Sequence, residues 1–245
     1  MVKRHLRRSC APWWWPIPRK AGGVWTVRPN PGPHPLEKSL PLAIIVRDVL
    51  RYAKTLKEAR RIIGMGYIKV DGRVRRDYKY PVGLMDVIEI VPTGEIYRMV
   101  PHPVKFLTLI PIPKEEAGIK PCRVENKTTI KGGNIQLNLH DGRNQIVPPE
   151  EASKYRTLDT VVLTIPNQSI VKHIPIQLGS LVVVIDGKNV GRVGRIVEVI
   201  QTFKRRRATV AIETEKGEII RTILEYVMPI GEDNKPIITL PQECF

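Results

Sequence analysis

Cysteine, aromatic residues and long apolar runs are all scarce in this sequence. Cys10, Cys122 and Cys244 are the only cysteines among 245 residues, and an odd, widely spaced set predicts free thiols in a reducing compartment. No run approaches the roughly 18 apolar residues of a membrane-spanning helix, so no membrane span is expected. Residues 1–11 are basic but lack the apolar centre of a signal peptide. We therefore expect a cytoplasmic protein.

Acidic residues are also few relative to basic ones. The chain has 40 Lys and Arg residues against 24 Asp and Glu residues, which gives a formal charge of +16. Such an excess is typical of nucleic-acid-binding proteins, because RNA and DNA phosphates neutralise it. A charge that only promotes solubility, or one that attaches the protein to an anionic membrane, is the alternative that composition leaves open.

The sequence contains none of the common catalytic or metal-binding patterns. It has neither the Gly-x-x-x-x-Gly-Lys-Ser/Thr pattern of a P-loop nor a Gly-x-Gly-x-x-Gly fingerprint. His5 and Cys10 lack a second ligand pair at zinc-finger spacing. His140 and Asp141 are adjacent in a predicted turn, where their side chains should diverge. We therefore predict a protein that is not an enzyme, with no catalytic residues, no metal site and no cofactor.

Residues 1–40 combine positive charge with tryptophan and proline. All four tryptophans (Trp13, Trp14, Trp15 and Trp25) and seven prolines lie in this segment. Proline fixes φ and removes a hydrogen-bond donor, which excludes a long helix or a central strand. The segment is expected to be an extended arm that becomes ordered against another surface. The tryptophans either fill gaps on the protein or stack on exposed bases.

From residue 41 onward, apolar residues recur at helical spacing. A first helix is predicted from the stripe of Leu42, Ile45, Val46, Val49 and Ala53, with Arg47, Arg51 and Lys54 on the opposite face. A second helix should begin at Thr55, which forms a capping-box pattern with Glu58 and is followed by an apolar stripe. Gly64 is suited to end this second helix.

Asp71-Gly72 indicates a tight β-hairpin. We favour a three-residue loop over residues 71–73, which would pair Val70 with Val74 and separate apolar from basic side chains. A two-residue loop would instead pair Val70 with Arg73. Together with a strand at 87–91, the hairpin and the two helices predict a compact αα-plus-β module.

The remainder of the sequence is typical of β structure. A hairpin turn is expected at residues 140–143, and short strands at 181–185, 195–200, 208–213 and 219–227 suggest a small barrel. Residues 186–197 form a glycine-bearing loop with Lys188, Arg192 and Arg195 beside it. This loop resembles a KOW motif, and an ordinary bulged hairpin is the alternative. Residues 204–207 are read as a basic turn.

Residues 42–91 resemble the S4 RNA-binding domain. The resemblance is carried by residues 58–63, which lead into residues 66–73. This domain also occurs in pseudouridine synthases, in a tRNA synthetase and in heat-shock RNA-binding proteins. It therefore implies RNA binding and not one particular function.

Over essentially its whole length the chain resembles the small-subunit ribosomal protein S4e family of archaea and eukaryotes. The matching segments are residues 3–8, 22–24, 28–34, 39–42, 69–72, 80–88, 140–143, 191–194 and 234–236. The resemblance implies a structural role on small-subunit ribosomal RNA, with the arm between RNA helices. Asp186 stands where the eukaryotic pattern has a second glycine, and the sequence ends without a basic tail. These departures favour an archaeal member.

The expected fold is α+β and multi-domain. We predict a basic Trp/Pro-rich extension at 1–41, an S4-type RNA-binding domain at 42–92, a central β-rich domain at 93–174 and a KOW-type β-barrel at 175–245. The expected RNA contacts are Lys3, Arg4, His5, Arg7, Arg8, Arg19, Lys20, Arg28, Arg47, Arg51, Lys54, Lys57, Arg60, Arg61, Lys69, Arg73, Arg75, Lys188, Arg192, Arg195, Lys204 and Arg205.

The expected partners are small-subunit ribosomal RNA and neighbouring small-subunit ribosomal proteins. The protein is expected to act in the cytoplasm, within the ribosome, without a membrane partner and without forming a homo-oligomer. Two other functions use the same motifs. An RNA-modifying enzyme could use the S4-type domain for targeting, and a transcription elongation factor could carry the KOW-like loop.

Overall fold

The computed structural model describes residues 5–20, 23–201, 204–232, 235–241 and 244, in two compact units, Met1–Met99 and Val100–Phe245. The predicted RNA contacts Lys3 and Arg4 lie outside the described residues, as do Gly22 and Asn234 of the matching segments. Among the described residues, no helix has the length and apolar character needed to cross a membrane.

The first unit combines two short helical segments with small antiparallel sheets. Its helices are α1 (Leu42–Ile44), which continues as a π-helical turn (Ile45–Val49), and α2 (Leu56–Gly64). Its strands are β1 (Leu6–Arg7), β2 (Trp25–Thr26), β3 (Ser39–Pro41), β4 (Ile68–Val70), β5 (Arg73–Val74), β6 (Pro81–Gly83), β7 (Val87–Ile90) and β8 (Glu95–His102), which runs on into the second unit. β1 pairs with β2 and β3 with β6, while β5, β4, β7 and β8 lie side by side in that order.

The described part of the N-terminal arm packs on its own unit. Trp14 and Trp15 are buried, and their indole Nε1–H groups donate to the carbonyl oxygens of Glu37 (2.9 Å) and Ser39 (3.0 Å). Trp13 and Trp25 remain 69% and 55% exposed. Trp14 and Trp15 therefore fill gaps on the protein itself, while base stacking stays a prediction for Trp13 and Trp25.

The first predicted helix is wrong in length. Helical structure ends at Val49, and Arg51 has a φ of 59°, which interrupts any right-handed continuation. Residues 42–46 are all buried, so this segment has no solvent-facing side along which cations could align. Arg51 and Lys54 therefore lie on the connection to α2, and not on the face of a helix.

The second helix matches the prediction. The Glu58 backbone N–H donates to Thr55 Oγ1 (3.3 Å), and the Thr55 N–H donates to the Glu58 carboxylate (3.3 Å), which completes the capping box. Ala59 and Ile63 are buried. The helix ends at Gly64 as expected, although the first left-handed residue after it is Gly66, with a φ of 81°.

The predicted three-residue hairpin loop is wrong. Val70 pairs with Arg73, so the loop consists of Asp71 and Gly72 alone, with φ values of 51° and 72°. Two consecutive left-handed residues form the turn whose twist suits a hairpin. Asp71 Oδ1 stabilises it further by accepting from the Val87 N–H (3.0 Å). Turn geometry thus outweighs the segregation of apolar from basic side chains, and Val74 is left 47% exposed.

The second unit is built mainly from two antiparallel sheets. Its strands are β9 (Phe106–Pro111), β10 (Ile119–Thr129), β11 (Ile135–Leu139), β12 (Asn144–Val147), β13 (Thr160–Thr164), β14 (Ile170–Ile174), β15 (Leu181–Val184), β16 (Val193–Ile200), β17 (Thr209–Glu213), β18 (Ile219–Ile223), β19 (Val227–Glu232) and β20 (Lys235–Pro236). Two one-turn helices, α3 (Lys114–Ala117) and α4 (Pro149–Ala152), join them. The sheet orders are β12-β11-β10-β13-β14 and β18-β17-β16-β15-β19-β20.

Each of these sheets has an apolar core made largely of Val, Ile and Leu. Cys122, Leu137 and Val161 are central to the first core, and Val182, Val210 and Ile212 to the second. The predicted hairpin at 140–143 joins β11 to β12. The multi-domain α+β fold with a KOW-type β-barrel is confirmed.

A charged pair is buried beside the first of these cores. Lys120 Nζ lies 3.0 Å from Asp141 Oδ2, and both side chains are about 1% exposed. Burial raises the pKa of Asp141, but the charges of Lys120, His140 and Arg143 outweigh it and lower that pKa to about 2. The ionised carboxylate therefore stabilises the fold at neutral pH, and this contribution is lost as the pH falls from about 4 towards 2.

Replacement Asp141→Asn should lower the free energy of unfolding by roughly 3–5 kcal/mol, because the Lys120 ammonium stays buried without its counter-charge. Urea denaturation of the full chain, followed by circular dichroism, measures the change. Glu150→Gln is the control, since Glu150 is exposed on α4. Equal midpoints for the two variants would show that the pair contributes little.

Candidate nucleic-acid interface

Cations from the arm, from the first helical segment and from the connection to α2 surround one open cavity in the first unit. It has a volume of about 630 Å³, and its charged lining consists of Arg8, Arg47, Asp48, Arg51 and Lys54. Asp48 is paired with Arg47, whose Nη2 lies 2.7 Å from the carboxylate. Cations therefore outnumber the carboxylate around this cavity, which suits it to phosphate oxygens.

Backbone carbonyl groups position Arg8 at this cavity. Arg8 Nη1 donates to the Pro18 carbonyl (2.9 Å), and Arg8 Nε donates to the Trp25 carbonyl (3.2 Å). Arg19 is held in the same manner, because its Nη2 donates to the carbonyl groups of Ala11 (3.2 Å) and Pro12 (2.6 Å). Carbonyl acceptors carry no net charge, so they orient these side chains without cancelling their positive charge.

Two further arginines lie over tyrosine rings. The guanidinium carbon of Arg60 is 4.6 Å from the ring centre of Tyr78, and that of Arg75 is 4.4 Å from the ring centre of Tyr80. Lys79 Nζ lies 5.6 Å from the ring of Tyr78. Such cation–π contacts fix a cation in place while leaving its charge available. Neither tyrosine was among the residues predicted from the sequence, although the mixture of Arg, Tyr and Lys over residues 75–80 is a signal that indicates them.

An exposed aromatic group lies on the two-stranded sheet that β1 and β2 form in the arm. The ring centres of Trp25 and His5 are 5.5 Å apart. The guanidinium carbon of Arg7 lies 5.9 Å from the ring centre of Trp25. His5 and Arg7 are both exposed. An exposed indole beside cations is the kind of surface on which an unpaired base stacks.

The other predicted contacts of the first unit differ in their surroundings. Exposed side chains are found at Lys20, Lys57, Arg61 and Arg73. Arg28 is half-buried. Lys69 is paired with Glu89, whose Oε1 lies 3.1 Å from the ammonium. The carboxylate of Glu89 makes Lys69 the weaker candidate for an RNA contact.

The predicted KOW loop connects β15 to β16, and its glycines serve the packing of the protein. Gly187 and Gly191 have φ values of 85° and 82°. A Cβ atom at Gly191 would lie 2.5 Å from the Pro103 backbone nitrogen, so the close approach is to the protein's own chain. Lys188 and Arg195 are exposed. Arg192 is paired with Glu218 at 2.8 Å.

The predicted basic turn is a short 3-10 helix, Arg205–Arg207, and Lys204 before it is exposed. Arg205 Nη2 lies 3.9 Å from Asp159 Oδ1. Arg206, which the sequence analysis did not select, lies 3.6 Å from the Glu225 carboxylate and 3.8 Å from that of Glu125. The described arginines of this turn are therefore partly balanced by acidic side chains.

One group of possible metal ligands is present in the described residues but does not fit a metal. Donor atoms of Cys122, His140 and Asp141 lie within 4.8 Å of one another. The Asp141 carboxylate is occupied by the Lys120 ammonium at 3.0 Å, and His140 Nδ1 accepts from the Arg123 N–H at 3.1 Å. A second positive charge would meet the buried ammonium, so the group is better explained as a polar part of the fold.

The surface of the first unit carries three features: a cation-lined cavity, cations on an exposed helix face, and guanidinium groups stacked on tyrosines. The second unit adds a glycine-bearing loop of KOW type. Together these features define an RNA-binding protein assembled from small modules.

Comparisons with known proteins identify the family. Family models match as the RS4NT domain (residues 2–37), the S4 domain (40–88), ribosomal family S4e (93–170) and the KOW motif (178–213). Small ribosomal subunit protein eS4 of Pyrobaculum calidifontis is 60% identical, over 96% of this chain and 99% of the relative. The chain belongs to the ribosomal S4e family.

More distant members agree with this assignment. The eS4 protein of Hyperthermus butylicus is 56% identical, over 99% of this chain and 97% of the relative. The crystal structure of 30S ribosomal protein S4e from Thermoplasma acidophilum matches with a TM-score of 0.69 and 31% identity, over 82% of this chain and 99% of that chain. The relatives named here are archaeal, and they make an archaeal origin plausible for this chain.

Replacement Tyr78→Leu should weaken binding to folded RNA about two- to fivefold, because the ring that positions Arg60 is lost. Tyr78→Phe should bind like the wild type, since it keeps the ring. Filter binding at one fixed salt concentration measures the affinities. If the phenylalanine variant binds as weakly as the leucine variant, the tyrosine hydroxyl and not the ring matters.

Proposed function

We propose that this protein is a structural component of the small ribosomal subunit, where it binds and stabilises small-subunit ribosomal RNA and so supports translation. The observation that carries the proposal is full-length similarity to proteins named small ribosomal subunit protein eS4, combined with the cation-lined cavity of the first unit. Its role is structural and not catalytic.

The proposed mechanism is electrostatic. Phosphates placed against the first unit release counterions from the RNA, which gives affinity that depends little on base sequence. The proposed contacts are the residues predicted from the sequence. Four of these cations already have carboxylate partners and contribute less: Arg47, Lys69, Arg192 and Arg205. One exposed face of α2 presents the charges of Lys57, Arg60 and Arg61.

Trp25 adds a second kind of contact to this proposal. Its exposed indole, flanked by His5 and Arg7, can receive an unpaired base. Such a stack is worth roughly 1–3 kcal/mol and tolerates any base. The buried pair Trp14 and Trp15 instead holds the arm on its own unit.

Cellular location, oligomeric state and domain boundaries are also part of this proposal. The protein acts in the cytoplasm, within the ribosome, and does not form a homo-oligomer. The four proposed domains, 1–41, 42–92, 93–174 and 175–245, fall two in each compact unit, apart from a few residues at the boundary.

Charge reversal on α2 tests the electrostatic mechanism. The double variant Lys57→Glu/Arg61→Glu should bind small-subunit RNA roughly tenfold or more weakly, and the slope of log affinity against log salt should fall by about 2. Both side chains are exposed, so thermal unfolding should be nearly unchanged. Lys114→Glu/Lys154→Glu, exposed in the second unit and outside the proposed contacts, is the matched control. Wild-type affinity that does not depend on salt would contradict the mechanism.

Sedimentation tests the function itself. A tagged full chain should travel with small ribosomal subunits in a sucrose gradient and should be absent from fractions of RNA polymerase. Association with polymerase would favour an elongation factor, for which the KOW-type loop is the supporting feature. Turnover of an RNA substrate by the purified chain would favour a modifying enzyme.

A further inference from the structure

A second open cavity of the first unit lies within the proline-rich part of the arm. It has a volume of about 650 Å³, within the roughly 300–1,000 Å³ of small-ligand sites in proteins. Rings of Pro29, Pro31, Pro33 and Pro35 form much of its wall, and Arg28 and Lys79 also line it. The electrostatic mechanism proposed above uses Arg28 of this cavity but not its proline wall.

The cavity is held in shape by contacts that join the arm to the rest of the unit. The Asn30 N–H donates to the Lys79 carbonyl (3.0 Å), and Asn30 Nδ2 donates to Asp77 Oδ2 (2.7 Å). His34 Nε2 lies 3.1 Å from the carboxylate of Asp86, and both side chains are buried. Since each proline also fixes its own φ, the wall is preformed and loses little conformational freedom when a ligand enters.

Glycine makes this close packing possible. A Cβ atom at Gly83 would lie 2.3 Å from the His34 ring, and one at Gly32 would lie 2.7 Å from the ring of Pro81. The Gly83 N–H also donates to Asp86 Oδ2 (2.9 Å). The arm is thus attached on both sides of Pro31 and Pro33, and the space between the attachments stays open.

The chemistry of the wall selects the ligand. The rigid apolar rings of the prolines suit the face of a nucleobase, because both surfaces lose water on contact. Arg28 and Lys79 suit the phosphate that accompanies the base. We propose that this cavity binds one unpaired nucleotide of the RNA. The inference rests on the proposed function and names a specific feature of its ligand.

The position of Lys79 favours RNA over a protein side chain as the occupant. Lys79 lines the cavity, and its ammonium lies over the ring of Tyr78, which also holds Arg60. The cavity is therefore continuous with the cations of α2. An RNA strand that contacts this helix can direct one base into the cavity without leaving the basic surface.

A pair of proline variants tests the inference. Pro31 and Pro16 are both exposed prolines of the arm, and only Pro31 lines the cavity. Pro31→Leu removes a rigid ring and puts a larger, mobile side chain at the opening, whereas Pro16→Leu makes the same change elsewhere. Affinity of each full-length variant for a small-subunit RNA transcript is measured over a range of salt concentrations, with circular dichroism to check folding.

Pro31→Leu should bind roughly fivefold more weakly than Pro16→Leu, because the base loses an apolar contact comparable to the burial of about one methylene group. Its salt slope should fall by no more than about 1, because only the phosphate beside Arg28 and Lys79 is lost together with the base. RNA containing 4-thiouridine should crosslink to residues 28–36 in the wild type and lose this crosslink in Pro31→Leu.

Equal affinities of the two variants, or a crosslink that persists in Pro31→Leu, would overturn the inference. An affinity loss that disappears at high salt would also overturn it, because the cavity would then be an ionic contact only. In each case the salt-dependent binding of the wild type would still stand, so failure here is distinct from failure of the proposed function.

Discussion

The guanidinium groups of Arg60 and Arg75 are held by the rings of Tyr78 and Tyr80, and Arg19 is held by backbone carbonyl groups. A side chain that must meet phosphate has to be fixed in place, yet a carboxylate partner would cancel its charge. Neutral partners satisfy both demands. The basic surface of the first unit depends on this choice of partner.

Several arginines of the second unit have carboxylate partners in place of neutral ones. Arg123 is paired with Glu125, Arg192 with Glu218 and Arg206 with Glu225. Arg123 also donates to the Glu225 carbonyl, so it joins segments far apart in sequence. Positive charge in this unit therefore stabilises the fold as well as binding RNA. The net charge of the whole chain does not distinguish these two roles.

Local signals in the sequence predicted those elements whose structure is decided locally. The capping box at Thr55 fixes the start of α2 through its own hydrogen bonds, so it could be read from four residues. The length of the first helix could not be predicted in this way. Its apolar stripe is equally typical of a fully buried segment, and Arg51, with a left-handed backbone conformation, ends the helical structure. Side-chain segregation does not predict the hairpin loop correctly, because the strong turn preference of Asp71-Gly72 outweighs it.

The candidate site was predictable as a set of cations but not as an arrangement. Composition and spacing identified Arg8 and Arg51, yet nothing local says that they line the same cavity. Likewise, the four tryptophans look equivalent in the sequence, although two are buried and two are exposed. Long-range packing decides both questions, and a single sequence records it only indirectly.

The indole hydrogen bonds of Trp14 and Trp15 end on Glu37, in a short 3-10 helix, and on Ser39, the first residue of β3. Much of the arm's conformational entropy is therefore lost when the polypeptide folds, and less remains to be lost on association. A preorganised arm of this kind can meet an RNA that is itself still rearranging, and can favour those RNA conformers that already fit it.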